Sequence, residues 1–308
     1  MTERLPSFFV TGVTKAGTTS IYDALEQHPD VFVPHHKEPR YYAFRGHRID
    51  PDDVFTRNVI TDRGEYLALY KGAAPHQRMG DCSLYLNYPQ AAAAIANEVP
   101  DARLISVFRD PVERAYSHYL FEVHRGIFPA SVSFEALVRG EPVRVAGKDR
   151  KRDHAYVDAG LYAAMLEPWL TLFPREQHLL MLFEDLASDP QAVTGQVYRH
   201  IGVDPAAAQP RMVRRAASGL PKNQALHKAM VVARKASGLA RAVLPRDMLE
   251  ELRRVQAQVT NRNLYKPKLP PEVRERLLPL FREDTLRFQD IIGRDLSAWL
   301  SVEQARAA

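Results

Sequence analysis

Cysteine is all but missing from this chain. Cys82 is the only one in 308 residues, which excludes an internal disulfide and any metal site built from several thiolates. No apolar run approaches the roughly 20 residues that cross a bilayer as a helix, and no N-x-[ST] sequon occurs. Charge of one sign does not dominate either: 42 Lys and Arg against 37 Asp and Glu leave a net charge of +5. That excess suits a protein that handles anions and falls short of the basic surface expected of a nucleic-acid binder. Repeats and low-complexity tracts are absent, Ala91–Ala94 being only a short alanine run on a predicted helix. What is there is an ordinary globular composition, 45% hydrophobic and 26% charged, enough for one large α/β domain or two small ones. Met-Thr-Glu-Arg-Leu-Pro leads almost directly into the first apolar segment, so a cytoplasmic location without a signal peptide is expected.

Three short apolar runs predict buried strands, 7–11, Arg103–Phe108 and His178–Phe183, with a weaker one at 78–82. Helical patterns fall between them at 18–28, 88–98, 111–124 and 161–172. Strands alternating with helices predict an α/β fold in which a parallel sheet is covered on both faces. Beyond about residue 205 the chain turns to helix and loop rich in Arg and Lys, with Gly219-Leu-Pro221 and a proline cluster at 267–271. Residues 271–290 read as a terminal helix or helix pair, with Trp299 docking the chain end. The expected organisation is a single domain over 1–308, its core at about 6–204 and a basic helical extension at about 205–308 folding over the same sheet. The 139–154 stretch, with Lys148, Arg150, Lys151 and Arg152, is expected to be an exposed loop.

Residues 7–21 hold the most informative pattern. The apolar run Phe8, Phe9, Val10 enters a loop opened by Gly12, and a helix-like stretch begins at Thr18. In this layout backbone N–H groups and a helix N-terminus receive an anion. Gly12 and Gly17 have the spacing of the ATP and GTP loop G-x-x-x-x-G-K-[ST], but Thr18 takes the lysine position and the lysine stands at Lys15. A phosphate-like group is expected at Lys15, Ala16, Gly17, Thr18, Thr19 and Ser20, without a magnesium-bound mononucleotide. The plain alternative is a strand–turn–helix corner in which Thr18 or Thr19 only caps.

A second pattern runs from Arg103 to Tyr119. The strand ends at Phe108, Asp110 is a good N-cap and Pro111 suits the first helical position. Arg109 therefore leaves the carboxyl end of a central strand, the edge where open α/β sheets bind ligands. Ser117 follows about two turns into the helix, ~12 Å from Arg109 by helical rise. A phosphate beside the helix could be shared between them; alternatively Arg109 pairs with Asp110 or Glu113 and Ser117 faces solvent. The third pattern is Val33–Phe44, where Glu38 stands between Lys37 and Pro39 with Arg40 beyond. A carboxylate on a loop near an anion site is a candidate general base, and a surface glutamate in a charged loop is the alternative. His35 and His36 are rival bases, and their adjacency gives poor metal-ligand geometry. Tyr41, Tyr42 and Phe44 could line an apolar acceptor site or pack in the core.

Taken together and in order, these motifs resemble the sulfotransferase family that uses 3′-phosphoadenosine 5′-phosphosulfate (PAPS). Lys15-Ala-Gly-Thr-Thr-Ser20 resembles its 5′-phosphosulfate loop and Arg109-Asp-Pro-Val-Glu-Arg-Ala-Tyr-Ser117 its 3′-phosphate motif. Lys37-Glu-Pro-Arg-Tyr-Tyr42 is similar to the Lys-Glu-Pro-His-Phe-Phe segment of bacterial members and of the related glycan sulfotransferases. Asp81-Cys-Ser-Leu-Tyr-Leu86, Gly160-Leu-Tyr162 with Trp169, Phe183-Glu-Asp-Leu186 and Ala217-Ser-Gly-Leu-Pro-Lys222 resemble later family segments in register, so the likeness covers roughly residues 6–230.

The resemblance implies an α/β, P-loop-like three-layer fold with a central parallel sheet flanked by helices. It implies PAPS as co-substrate and 3′-phosphoadenosine 5′-phosphate (PAP) as product. Lys15 would contact the phosphosulfate near its bridging oxygen, helped by donors from Gly17, Thr18, Thr19 and Ser20. Arg109 and Ser117 would hold the 3′-phosphate, and the loop carrying Ser218 and Lys222 would close over the cofactor. Phe183 would stand near adenine, where many relatives have a tyrosine, and Glu38 matches the catalytic glutamate of the glycan branch. No metal is required, because a sulfuryl group carries less charge than a terminal phosphate. The acceptor would be a small molecule, lipid or glycan bearing a hydroxyl or amine. The rivals are a P-loop kinase-like phosphotransferase, against which no apolar strand reads as ending in a magnesium-binding aspartate, and a non-catalytic nucleotide or nucleic-acid binder using the basic segment 211–241.

Overall fold

The computed structural model describes residues 3–49, 56, 58–129, 131–140, 143–145, 148–150, 156–210, 219–223, 225–226, 229–230, 248, 259 and 262–302. The chain packs as two compact units. One comprises 1–114, 159–215 and 280–300, and the other 115–158, 216–279 and 301–308.

The elements follow the predicted alternation. Strand β1 (Phe8–Gly12) leads to α1 (Thr18–Glu26), then β2 (Val31–Phe32), α2 (Tyr41–Phe44), α3 (Arg63–Ala68) and β3 (Arg78–Asp81). Helix α4 (Pro89–Glu98), β4 (Arg103–Phe108) and α5 (Pro111–Arg125) come next. Helix α6 (Phe134–Val138) and the short strands β5 (Val143–Val145) and β6 (Lys148–Arg150) precede α7 (Tyr162–Leu172), β7 (His178–Leu182), α8 (Phe183–Ser188) and α9 (Pro190–Ile201). Strands β8 (Leu220–Pro221) and β9 (Leu264–Tyr265) and a long helix (Pro271–Ile292) complete the described chain.

The first unit is built on a five-stranded sheet ordered β2-β3-β1-β4-β7, parallel throughout. Strand β1 is central and wholly buried, which explains its unbroken apolar run. From it the chain crosses first to β2 and β3 and then to β4 and β7 on the other side. That reversal makes the carboxyl ends of β1 and β4 the crevice of the sheet. The β1–β4 pairing shifts register between Val10 and Gly12, so the chain leaves the sheet early and enters the glycine loop there. Thr11 Oγ1 and Ser106 Oγ, both buried, lie 2.8 Å apart across the same two strands. Trp299 is buried on Phe288 and Tyr162, the docking role its position suggested.

The second unit holds a cluster of Tyr116, Tyr119, Phe134 and Tyr156, where the Tyr156 hydroxyl donates to buried Glu122. Strands β5 and β6 form an antiparallel ribbon inside the stretch expected to be loop. The ribbon is only three residues to a side, too short for an alternating pattern to show among its charges. No helix of the described residues is long and apolar enough to cross a membrane.

Two consequences are measurable. A Cβ added at Gly80 would lie 2.0 Å from Cζ of the Phe8 ring, and that ring is locked between strands. Gly80→Ala should therefore lower unfolding free energy by about 1–3 kcal/mol, read by denaturant titration. His178 opens β7 and is buried; burial and the neighbouring Arg175 push its imidazole down from 6.5 to about 4. The fold thus favours the neutral ring, and its contribution to stability falls as pH drops from 6.5 towards 4, by up to about 3 kcal/mol. His178→Phe should flatten unfolding midpoints over that window.

Candidate active site

Local chemistry explains the loop after β1. Gly17 has φ +97°, and a Cβ there would lie 2.7 Å from Leu186 Cδ2 and 3.3 Å from Phe183 Cδ2. Both backbone conformation and close approach therefore require glycine. Lys15 is held in the left-handed region at φ 66°, a costly conformation for a residue with a side chain. Ala16 is buried and donates its N–H to Val13 O at 3.3 Å. Helix α1 starts with no side-chain cap and no acidic residue in its first turn. Ser20 N–H donates to Gly17 O at 2.9 Å, and no side chain offsets the positive end of the dipole, the kind of helix start that can receive an anion. Thr18 is buried, while Thr19 and Ser20 are half-buried on that first turn.

Arg109 and Phe183 meet this loop. The Arg109 side chain is 11% exposed; it donates from Nη1 to Lys15 O and from Nη2 to Glu113 Oε2, each at 3.4 Å. Its guanidinium carbon lies 4.7 Å from the Phe183 ring centroid. The Tyr162 hydroxyl donates to Arg109 O at 2.6 Å and fixes the backbone. Asp110 caps α5 as predicted, accepting from the N–H groups of Val112 and Glu113. Lys15, Gly17, Arg109 and Phe183 are thus brought together, with Phe183 as the first residue of α8 instead of the last of a strand.

Glu38 lies on a loop pinned on both sides. Lys37 Nζ donates to Thr19 Oγ1 at 2.8 Å, which ties the loop to the first turn of α1. Tyr22, one turn further along α1, donates its hydroxyl to Pro34 O at 3.1 Å. Beyond Glu38, Ile60 N–H donates to Pro39 O at 2.8 Å and Arg40 N–H to Ser83 Oγ at 2.9 Å. Glu38 and Arg40 have φ 61° and 52°, and the carboxylate accepts from Arg40 Nη2 at 3.0 Å. His35 has a side chain 95% exposed and paired with Glu26, and His36 Nε2 donates to Asn58 O.

Beneath that loop stands a group whose role the sequence reading did not find. Strand β3 ends at Asp81. Its carboxylate is fully buried and accepts from Ser83 Oγ at 2.6 Å and from the Tyr66 and Tyr85 hydroxyls at 2.8 Å each. Burial pushes the acid up from its usual range while the hydroxyl donors oppose that shift. A carboxylate saturated in this way is a structural hub, not an open magnesium ligand. Ser83 passes the connection on by accepting from Arg40. A strand-terminal Asp followed by Ser was the available signal. Lys37 was equally missed, since its role depends on a partner in another segment. Tyr41 and Tyr42 are buried, with Tyr41 stacked on Tyr66 at 4.3 Å, so these two rings pack in the core.

Ser117 and Lys222 belong to the second unit. Ser117 is buried on α5. Lys222 is exposed beside β8, its N–H donating to Asn263 O at 2.7 Å. Ser218 lies outside the described residues.

Residues 6–207 match the sequence model described as "Sulfotransferase family". The chain is 28% identical to mouse carbohydrate sulfotransferase 15 over 252 residues, covering 65% of this chain and 44% of that protein. It is also 28% identical to mouse heparan sulfate glucosamine 3-O-sulfotransferase 6 over 300 residues, 95% of this chain and 73% of the relative. It thus spans less than half the length of the carbohydrate sulfotransferase it matches. A crystal structure of a sulfotransferase from Alicyclobacillus acidocaldarius superposes with a TM-score of 0.70 at 26% identity, over 97% of this chain and 100% of that one.

The Asp81 hub makes one outcome specific. Ser83→Ala takes away the acceptor of Arg40 N–H and a donor to Asp81, and should cost about 1–3 kcal/mol in unfolding free energy. An unchanged denaturation midpoint would show that solvent satisfies both groups.

Proposed function

The chain belongs to the sulfotransferase family, and from that premise we propose that it transfers the sulfuryl group of PAPS to a hydroxyl or amine of an acceptor. The observation that carries the reading is the Lys37–Thr19 bond. It ties the loop bearing a candidate base to a helix start that carries no side-chain cap and no acidic residue in its first turn, which supports an anion site there.

The residues present fit the co-substrate. The α1 amides with Thr18, Thr19 and Ser20 would take the phosphosulfate, and Lys15 would face the bridging oxygen. Arg109 would exchange its two 3.4 Å contacts for the 3′-phosphate, joined by Ser117. Phe183 would border the adenosine, and Ser218 and Lys222 would close from the C-terminal side. When bound, PAPS supplies an activated sulfuryl group, which calls for no metal.

Glu38 would take the proton of the acceptor hydroxyl or amine as that oxygen or nitrogen bonds to sulfur. Lys15 and the loop amides would stabilise the electron pair left on the 5′-phosphate oxygen when the S–O bond breaks. Arg40 holds Glu38 through the ion pair and fixes its direction. The names of the relatives favour a hydroxyl on a carbohydrate as acceptor, within the wider class of small molecules, lipids and glycans.

Two measurements test this. Calorimetry should show PAP binding far more tightly than AMP; equal affinity would remove the roles given to Arg109 and Ser117. Glu38→Gln should lower turnover by about 10²–10⁴-fold while leaving PAP affinity nearly intact. Retained turnover, followed with labelled PAPS and a panel of acceptors, would move the base to another residue.

A further inference from the structure

Lys37 carries more than a structural tie. It immediately precedes Glu38, and its half-buried Nζ donates to Thr19 Oγ1 at 2.8 Å. The same nitrogen lies 5.8 Å from the ring centroid of Tyr22. Thr19 and Tyr22 are three residues apart on α1 and so share a face of the helix. The ammonium therefore stands over the first turn of α1, the turn that lacks both a side-chain cap and an acidic residue. Lysine at the edge of a positive helix end is electrostatically unfavourable for the protein by itself. An anion bound there removes the conflict.

The hydroxyl adds a directional argument. Thr19 Oγ1 has one proton to give and two lone pairs to receive. Because it receives from Lys37, its own proton is available to a bound oxyanion, and the donor chain polarises it further. Lys15 enters the same loop from the strand side, in the backbone conformation fixed by φ 66°. Two lysines, one in the loop before the helix and one on a separate segment, thus flank one helix start. A 5′-phosphate alone gives work to the first; the sulfuryl group beyond it is what the second has to read.

We infer that Lys37, seated by Thr19, is the specificity residue that recognises the sulfuryl group itself. It makes the site prefer the loaded co-substrate over the spent nucleotide and links that occupancy to the presentation of Glu38. The inference rests on the sulfuryl-transfer reading above. It assigns Lys37 no proton transfer and no covalent step. What it adds is a contact to an anionic oxygen that PAPS has and PAP lacks, made through a loop whose next residue is the base.

Binding measurements decide the matter without any acceptor. PAP and PAPS are titrated separately into the full chain and into Lys37→Met, Lys37→Arg, Thr19→Val and Thr19→Ser, with folding of each checked by thermal melting. Lys37→Met should weaken PAPS by about 10–100-fold, the range of a charge-assisted hydrogen bond, and leave PAP close to wild type. Lys37→Arg and Thr19→Ser should recover most of the preference, and Thr19→Val should lose part of it. Equal weakening of both nucleotides, or of neither, overturns the inference. If Lys37→Met does not fold, Thr19→Val decides by the same ratio. Should the wild-type chain bind neither nucleotide, the sulfuryl-transfer reading itself fails; normal wild-type binding with an unchanged ratio in the variants removes only the role of Lys37.

Discussion

A buried carboxylate holds the edge of the candidate active site together. Asp81 sits at the end of β3 with no exposed surface, and a charge in that position is tolerable only if its oxygens are satisfied. Ser83, Tyr66 and Tyr85 satisfy them, Tyr66 from a separate element and Ser83 and Tyr85 from the segment that follows β3. Tyr66 brings α3, Tyr85 brings the turn before α4, and Ser83 carries the connection to Arg40 and hence to the loop of Glu38. Satisfying one acid therefore fixes the tyrosine core beside β1 and the far end of the base loop at once. The hub is costly to disturb because any missing donor leaves a buried partner unpaired.

The loops beside it are strained at the same places to which the proposal assigns chemistry. Among the described residues, Lys15, Glu38 and Arg40 are the non-glycine residues with positive φ. Each such conformation costs on the order of 1–3 kcal/mol and persists only where surrounding contacts over-determine it. Those contacts are present. Arg109 reaches the Lys15 carbonyl, and the Glu38 segment is held through Pro34, Lys37, Pro39 and Arg40. Flanking proline keeps Glu38 out of a helix, and the Arg40 ion pair then gives its carboxylate a direction. As the proposed base, a carboxylate held this way would need little rearrangement when an acceptor arrives, which is the condition for positional catalysis.

Much of this was legible in the sequence, for a local reason. The strand runs, the Asp110 cap, the proline that opens α5 and the glycine at position 17 express rules acting within a few residues. Such rules survive without knowledge of the fold. The contacts that assemble the site do not. Lys37 finds Thr19 18 residues away, and Arg40 finds Ser83 at a separation of 43, so neither pair has a pattern in its own segment. Tyr41 and Tyr42 show the converse. A run of aromatics beside a candidate base suggested a lined acceptor pocket, whereas packing against Tyr66 and Tyr85 claimed both rings for the core.

The displaced lysine of the phosphate loop follows from this arrangement. In a magnesium nucleotide loop the lysine opens the helix and shares the terminal phosphate with the metal. Here that first helical position is Thr18, a short side chain that is buried. The lysines near the helix start are instead Lys15, in the loop before it, and Lys37 on a separate segment, whose Nζ donates to Thr19 Oγ1. Dividing the charge between two segments separates their tasks, since one position is set by the strand exit and the other moves with the base loop. On the proposed reading, a site so divided would respond to what lies beyond the phosphate, which a single lysine at the head of the helix would not do.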